Sequence, residues 1–151
     1  MAKRLSKGFT LVELLIVVAI IGIIAAIAIP NLISAIQRGK QKRTMGDIRN
    51  IGTAVEEYVV DEAIAPQGTA GIVSTALNIA QFVPFYIRVL PTLDGWRNNT
   101  QYLRDTNVAY SLYSFGRDGS ASYEAGDYDN KSFLYDIYFS NGQFTASPGQ
   151  K

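Results

Sequence analysis

The sequence predicts an α+β protein: one long N-terminal α-helix, membrane-spanning in its first half, packed by its second half on a small antiparallel β-sheet head. Three observations predict it. The run Phe9–Ile29 is apolar throughout except for one charge, Glu13. Helical periodicity then continues to about Glu62. The last third alternates in Tyr- and Phe-rich segments punctuated by Gly and Asn, which is how strands and turns read.

The apolar run is about 21 residues, or roughly 32 Å as a helix, enough to cross a bilayer core. The preceding MAKRLSKG carries Lys3, Arg4 and Lys7. Basic residues before a first span keep that end cytoplasmic and place the chain beyond the span on the outer side. A secretory signal has a shorter apolar core and a small-residue cleavage site after it. Here Pro30-Asn31-Leu32 comes after a longer run. A plain signal anchor explains the length and the flanking charge but not Glu13. A charge at the centre of a span costs about 2.5–3.5 kcal/mol on insertion scales, less near an end. A carboxylate kept there points to a partner.

Beyond the span, Ile33, Ile36, Met45, Ile48, Ile51, Val55, Tyr58 and Val59 recur at spacings near three and four, and most charges take other faces. One helix over Phe9–Glu62 is expected, roughly 80 Å long. Pro30 removes a helix hydrogen bond and is expected to kink or locally melt it. Gly22 permits close helix approach, as small residues do in membranes. The basic stretch Arg38–Arg43 reads as a solvated juxtamembrane face. Ala65-Pro66-Gln67-Gly68 ends the helix. Ser74–Phe82 reads as a short second helix. Strands are expected at Asn99–Leu103, Ala109–Phe115, Ser132–Phe139 and Gln143–Ala146, with Asn141-Gly142 as the turn of the last hairpin. The expected organisation is therefore residues 1–8, a basic leader; 9–30, the spanning helix; 31–62, its amphipathic continuation; and 63–151, the head.

Composition removes several functions. There is no Cys and no His. That excludes a disulfide framework, thiolate or imidazole metal sites, and Cys–His or Ser–His nucleophilic catalysis. The formal charge is +1, which suggests no nucleic-acid partner. Removing the first eight residues makes the balance negative. No positioned base or Gly-rich phosphate loop is present, so an enzyme is not expected. One acidic stretch, Gly116–Asn130, holds four carboxylates between strand candidates. Composition alone favours a solvated turn-rich loop there. Hard cations such as Ca²⁺ do use such oxygens, though the spacing is not that of an EF-hand.

Lys7-Gly8-Phe9-Thr10-Leu11-Val12-Glu13 with the apolar run behind it resembles the prepilin leader of type IV pilins and type II secretion pseudopilins. The resemblance implies cleavage between Gly8 and Phe9 by a prepilin peptidase of the bacterial inner membrane, and N-methylation of Phe9. It implies that Glu13 is the family's acidic residue near the mature N-terminus, and it matches Gly22 and Pro30 to the family's helix Gly and Pro. The Glu13 carboxylate is then expected to pair with the Phe9 amine of a neighbouring subunit, as compensating buried charges cost far less than either alone.

Leu90–Asn98 is similar to the Pro–x–Asp–x–Trp–Gly–Asn–Pro segment of major pseudopilins, with Arg97 for the usual Gly and Asn99 for the usual Pro. Ser114–Gly119 is similar to their Ser–x–Gly–x–Asp–Gly turn, and Asp136-Ile137 to the pair after their calcium loop. This implies a Ca²⁺ ion held by the Phe115 carbonyl and Asp118, with Asp136 nearby and a second acidic ligand open among Glu124, Asp127 and Asp129. The implied function is a structural subunit, the major pseudopilin of a type II secretion system. It would form a helical homopolymer, with an assembly ATPase, an inner-membrane platform and minor pilins as partners and the bilayer as host before assembly. A surface type IV pilus serving adhesion, motility or DNA uptake is the near alternative. A signal-anchored domain that never polymerises is the distant one. The absence of a C-terminal Cys pair and the Asp-Gly-Trp segment favour the pseudopilin.

Overall fold

The computed structural model describes residues 8–67, 70–121, 132–134 and 136–147. The described chain is α+β, a long helix and a five-stranded antiparallel sheet. By contacts it divides into two compact units, Met1–Ile36 and Gln37–Lys151.

Helix α1 runs Leu11–Glu62. Thr10 and Glu13 start it with a reciprocal cap. The Glu13 amide donates to Thr10 Oγ1 at 3.2 Å, and the Thr10 amide donates to Glu13 Oε2 at 2.9 Å. That is the T-x-x-E capping box, which satisfies donors the first turn cannot pair internally. The expected melting at Pro30 does not occur: α1 continues through it. Asn31 Nδ2 donates to the Ile27 carbonyl at 3.2 Å, supplying a donor in the turn where proline withholds one. Within the first unit the apolar side chains are exposed on every face, Leu11, Ile16, Ile20, Ile24 and Ile27 among them. The helix is long and apolar enough to cross a membrane.

In the second unit α1 is amphipathic. Gln41, Thr44, Ile48, Ile51, Gly52, Ala54 and Val55 are buried, a stripe recurring at three and four residues. Of these, Ile48, Ile51, Ala54 and Val55 join a core with Val73, Leu77, Phe82, Tyr102, Tyr110, Leu112, Ile137 and Phe139. Strands β1 (Gly71–Ile72), β2 (Gln101–Arg104), β3 (Tyr110–Ser114), β4 (Ile137–Ser140) and β5 (Gln143–Ala146) pair antiparallel in sequence order. Alternation in β3 and β4 puts Tyr110, Leu112, Ser114, Ile137 and Phe139 inward. Burial pushes the Tyr102 hydroxyl up to about 12, so it stays a donor, to the Pro66 carbonyl at 3.1 Å.

Two sequence expectations are corrected, and one strand comes in addition. The second helix is two short pieces, α2 (Val73–Ala76) and α3 (Ile79–Phe82). Leu77 turns extended between them to bury its side chain, and Asn78 Oδ1 accepts from the Ala80 amide, restarting the helix. Strand β4 begins at Ile137, not Ser132. The Phe133 carbonyl accepts from the Arg117 amide at 3.0 Å, tying that segment to a turn instead of the ladder. Strand β1 was not expected, its two residues being too few to show alternation. The Asn141-Gly142 hairpin forms as read, with φ of 45° and 83°, both positive as a type I′ turn requires.

Gly52 faces the Phe139 ring so closely that a Cβ would overlap it. Gly52→Ala should therefore destabilise the head by about 1–3 kcal/mol, despite alanine's better helix propensity. Thermal melting of the full chain in detergent checks this. Unchanged or raised stability would mean that the ring yields freely.

Candidate functional site

Two regions carry the residues singled out by the sequence. The first is the N-terminal cap. Gly8, Phe9 and Glu13 are exposed, Phe9 at 82%. Thr10 Oγ1 donates to Glu13 Oε2 at 2.8 Å, beside the bond from the Thr10 amide. One carboxylate oxygen is thus held by two donors of its own chain. Thr10 was not singled out by the sequence as a partner of Glu13, although the capping spacing was there to see. A Cβ at Gly22 or Gly8 would meet nothing within 4 Å, so neither glycine is required by packing inside the described subunit. Residues 1–7 of the leader lie outside the described residues.

The second region is a knot around Asp94, which is only 3% exposed. Asp94 Oδ1 accepts from the Trp96 amide at 2.8 Å and the Asn98 amide at 2.7 Å. Asp94 Oδ2 accepts from Ser114 Oγ at 2.7 Å. The loop is fastened to α1 as well. The Gly95 amide donates to Thr44 Oγ1 at 2.8 Å, and Trp96 Nε1 donates to Gln37 Oε1 at 2.7 Å. Gly95 lies against the Lys40 backbone, with no room for a Cβ. Asn98 Nδ2 donates to the Gly116 carbonyl at 2.7 Å, which carries the knot on to the acidic turn. One buried carboxylate therefore sets the loop, strand β3 and the start of that turn together. Arg97, standing where the family has Gly, is at φ 73°, in the region that favours glycine.

The turn itself comes directly after β3. Gly116 and Gly119 take φ of 64° and 67°, which reverses the chain tightly. Asp118 is exposed, and its Oδ1 accepts from the Ser120 amide at 3.2 Å. Asp136 is 5% exposed. Burial first, and then the Asp136 charge, push the Tyr113 hydroxyl up, and Asp136 directly precedes Ile137, the β4 residue that pairs with Ser114. Glu124, Asp127 and Asp129 lie outside the described residues. Among the described residues no three acidic groups are gathered as a metal-holding cluster. The structure brings Phe115 and Asp118 into one turn, and it buries Asp136 just before β4.

Comparisons with known proteins bear on both regions. Residues 3–29 match the family model for the prokaryotic N-terminal methylation motif. Residues 31–132 match that for type II secretion system (T2SS), protein G. The chain belongs to the T2SS protein G family. Curated relatives agree over most of its length. It is 34% identical to the type II secretion system core protein G of Pseudomonas aeruginosa, over 85% of this chain and 96% of that protein. It is 30% identical to that of Aeromonas hydrophila, over 88% of this chain and 99% of that protein. Likeness to the type IV major fimbrial protein FimA of Dichelobacter nodosus is 54%, but covers 39% of this chain and 38% of that protein. The family match spans the Asp94 knot and the acidic turn, which are the parts specific to the head.

Proposed function

We propose that this chain is the major structural subunit of a type II secretion pseudopilus. The observation that carries the reading is a helix exposed and apolar on every face of the first unit, in a chain of the protein G family. Such a surface needs lipid before assembly and other copies of itself afterwards. The subunit enters the bacterial inner membrane as a single span with its head outside the cytoplasm. Prepilin peptidase removes Met1–Gly8, and Phe9 becomes the methylated N-terminus. Glu13 exchanges its Thr10 donors for the Phe9 amine of a neighbour on docking. The membrane platform, its ATPase and minor pilins drive and start polymerisation. The role is structural and not enzymatic. A surface pilus is the second reading, and the FimA likeness favours it only over the 39% of the chain it covers.

Production of the chain with a type II assembly system tests this by electron microscopy. Fibres containing this subunit are expected. Subunits that stay dispersed in the membrane under those conditions contradict the reading.

The turn after β3 suits a calcium ion by its chemistry. The Phe115 carbonyl and the Asp118 carboxylate are hard oxygen donors on a backbone bent by two glycines, and Asp136 adds negative charge nearby. The ion would tie the turn down and relieve repulsion among the carboxylates downstream of it. The full chain in detergent should melt higher in calcium than in chelator, and Asp118→Ala should remove most of that difference. Magnesium should substitute poorly, because it demands a stricter octahedron. Equal melting in calcium and chelator would leave the stretch a solvated loop.

A further inference from the structure

Charge in the second unit is sorted along α1. From Gln37 to Arg43 the helix carries four cations, Arg38, Lys40, Lys42 and Arg43, and no acid. Apart from Asp47, its acids in this unit come at the opposite end, from Glu56 to Glu62. At about 100° per residue the four cations flank the buried stripe through Gln41, Thr44 and Ile48. Arg38 and Lys42 fall on one side of it, Lys40 and Arg43 on the other. Arg38, Lys42 and Arg43 are exposed, and Lys40 is half-buried. Among the described residues only Arg43 has an ion pair, with Asp47 at 3.5 Å, an exposed pair of the weak kind.

The loop after Pro91 adds to the same end. The bonds from Trp96 to Gln37 and from Gly95 to Thr44 hold it against these turns of α1, and Gly95 lies on the Lys40 backbone. Its tip presents Leu93, 45% exposed, a half-buried Trp96 and an exposed Arg97. Arg97 holds φ at 73°, a conformation that glycine takes freely and other residues rarely adopt. Among the described residues its guanidinium has no partner. Asn98, bonded to the Gly116 carbonyl, brings the turn with the exposed Arg117 to this loop as well. The described acids here are the buried Asp94 and Asp136, the half-buried Asp47 and the exposed Asp118. Cations therefore dominate the surface.

This end is also where the chain leaves its apolar span. Arg38 follows Ile29 by nine residues, about 14 Å of helix. The headgroup layer takes up about 5–8 Å beyond the hydrocarbon core. What remains is bridged by an extended arginine side chain and a Debye length of about 8 Å. Tryptophan is enriched at the membrane boundary, where its ring is apolar and its N–H polar. An arginine beside it lays its stem at that boundary and offers paired donors to phosphate.

We infer that the Leu93–Arg97 loop, with Arg38, Lys40 and Lys42, docks on the anionic phospholipid headgroups of the leaflet through which the span emerges. The inference rests on the reading above that the chain spans the membrane before assembly. Phosphates supply the partners that these cations lack inside the subunit. The contact holds the head on the bilayer until assembly draws the subunit out, and it weakens with salt as surface electrostatics does.

Trp96 is the one tryptophan of the chain, so its emission reports on the site without a label. The full chain is reconstituted, in chelator, into phosphatidylcholine vesicles and into vesicles with about a third phosphatidylglycerol. Both carry a nitroxide on a small fraction of their headgroups. Quenching of Trp96 should be at least about twofold stronger in the anionic vesicles, and high salt should remove the difference. Arg97→Gly, which suits the backbone at φ 73°, should reduce it, as should Arg38→Gln with Lys42→Gln. All of these should leave the head melting as wild type or above. Equal quenching in the two kinds of vesicle overturns the inference, as does a difference that survives high salt or all three substitutions together. Inorganic phosphate should compete no better than chloride at equal ionic strength. Stronger competition would mean a pocket for free phosphate and overturn the lipid surface. Alkaline washing of the vesicles separates the two readings. Chain that washes off overturns the spanning reading. Chain that stays, with quenching indifferent to lipid charge, overturns the docking alone.

Discussion

Asp94→Ala should destabilise the head by about 3–5 kcal/mol, the largest effect expected of any single side chain outside the apolar core. The carboxylate accepts three hydrogen bonds while 3% exposed. Truncation strands the Trp96 and Asn98 amides and the Ser114 hydroxyl, with little room for water to replace it. The Ser114 hydroxyl is buried and the two amides are half-buried, and each donor stranded out of water costs about 1–3 kcal/mol. The consequence spreads, because Asn98 also holds the Gly116 carbonyl. Loss of the knot should loosen the start of the acidic turn and weaken any calcium response with it. Asp94→Asn keeps an acceptor at Oδ1 and should lose about half as much. Melting of the full chain in detergent distinguishes these, with a drop of more than about 10 °C for alanine. A drop of only a degree or two would mean that the loop finds other partners.

Glu13→Ala should leave the chain in the membrane and reduce fibre yield by more than about tenfold. Removing the carboxylate lowers the insertion cost, so anchoring persists or improves. The capping box gives Glu13 a second role, since it also accepts from Thr10 within its own chain. Loss of a cap costs about 1 kcal/mol and frays one turn. Two variants separate the roles. Thr10→Ala removes part of the cap and keeps the charge, so its effect on yield should be mild. Glu13→Gln keeps an acceptor for Thr10 and removes the charge, so it should assemble as poorly as the alanine variant. Fibre yield from sheared cells, set against total membrane-bound subunit, measures both. Normal yield from Glu13→Gln would reduce Glu13 to a helix cap.

The long helix was legible because its two halves obey simple patterns. One is apolar on all sides, and the other repeats at three and four residues. The Asn141-Gly142 hairpin was legible because its turn type needs two positive φ values, which that dipeptide supplies. Features settled by particular hydrogen-bond partners escaped. Continuity through Pro30 goes with a side-chain donor from Asn31. The late start of β4 goes with a bond from Arg117 to the Phe133 carbonyl. The burial of Asp94 depends on Ser114, 20 positions away. The sequence singled out Asp94 only by resemblance, since an Asp before Gly reads as an ordinary turn. Gly52 lowers helix propensity taken by itself, and its reason lies in the Phe139 ring packed against it, far along the chain.

On the proposed function the chain is cut between Gly8 and Phe9 and then polymerises. Intact-mass measurement on subunits recovered from sheared fibres tests both parts at once. The expected species is a chain beginning at Phe9, heavier by one methyl group than the bare sequence. Subunits in the fibre that still carry Met1–Gly8 would contradict it, as would a fibre fraction from which this chain is missing.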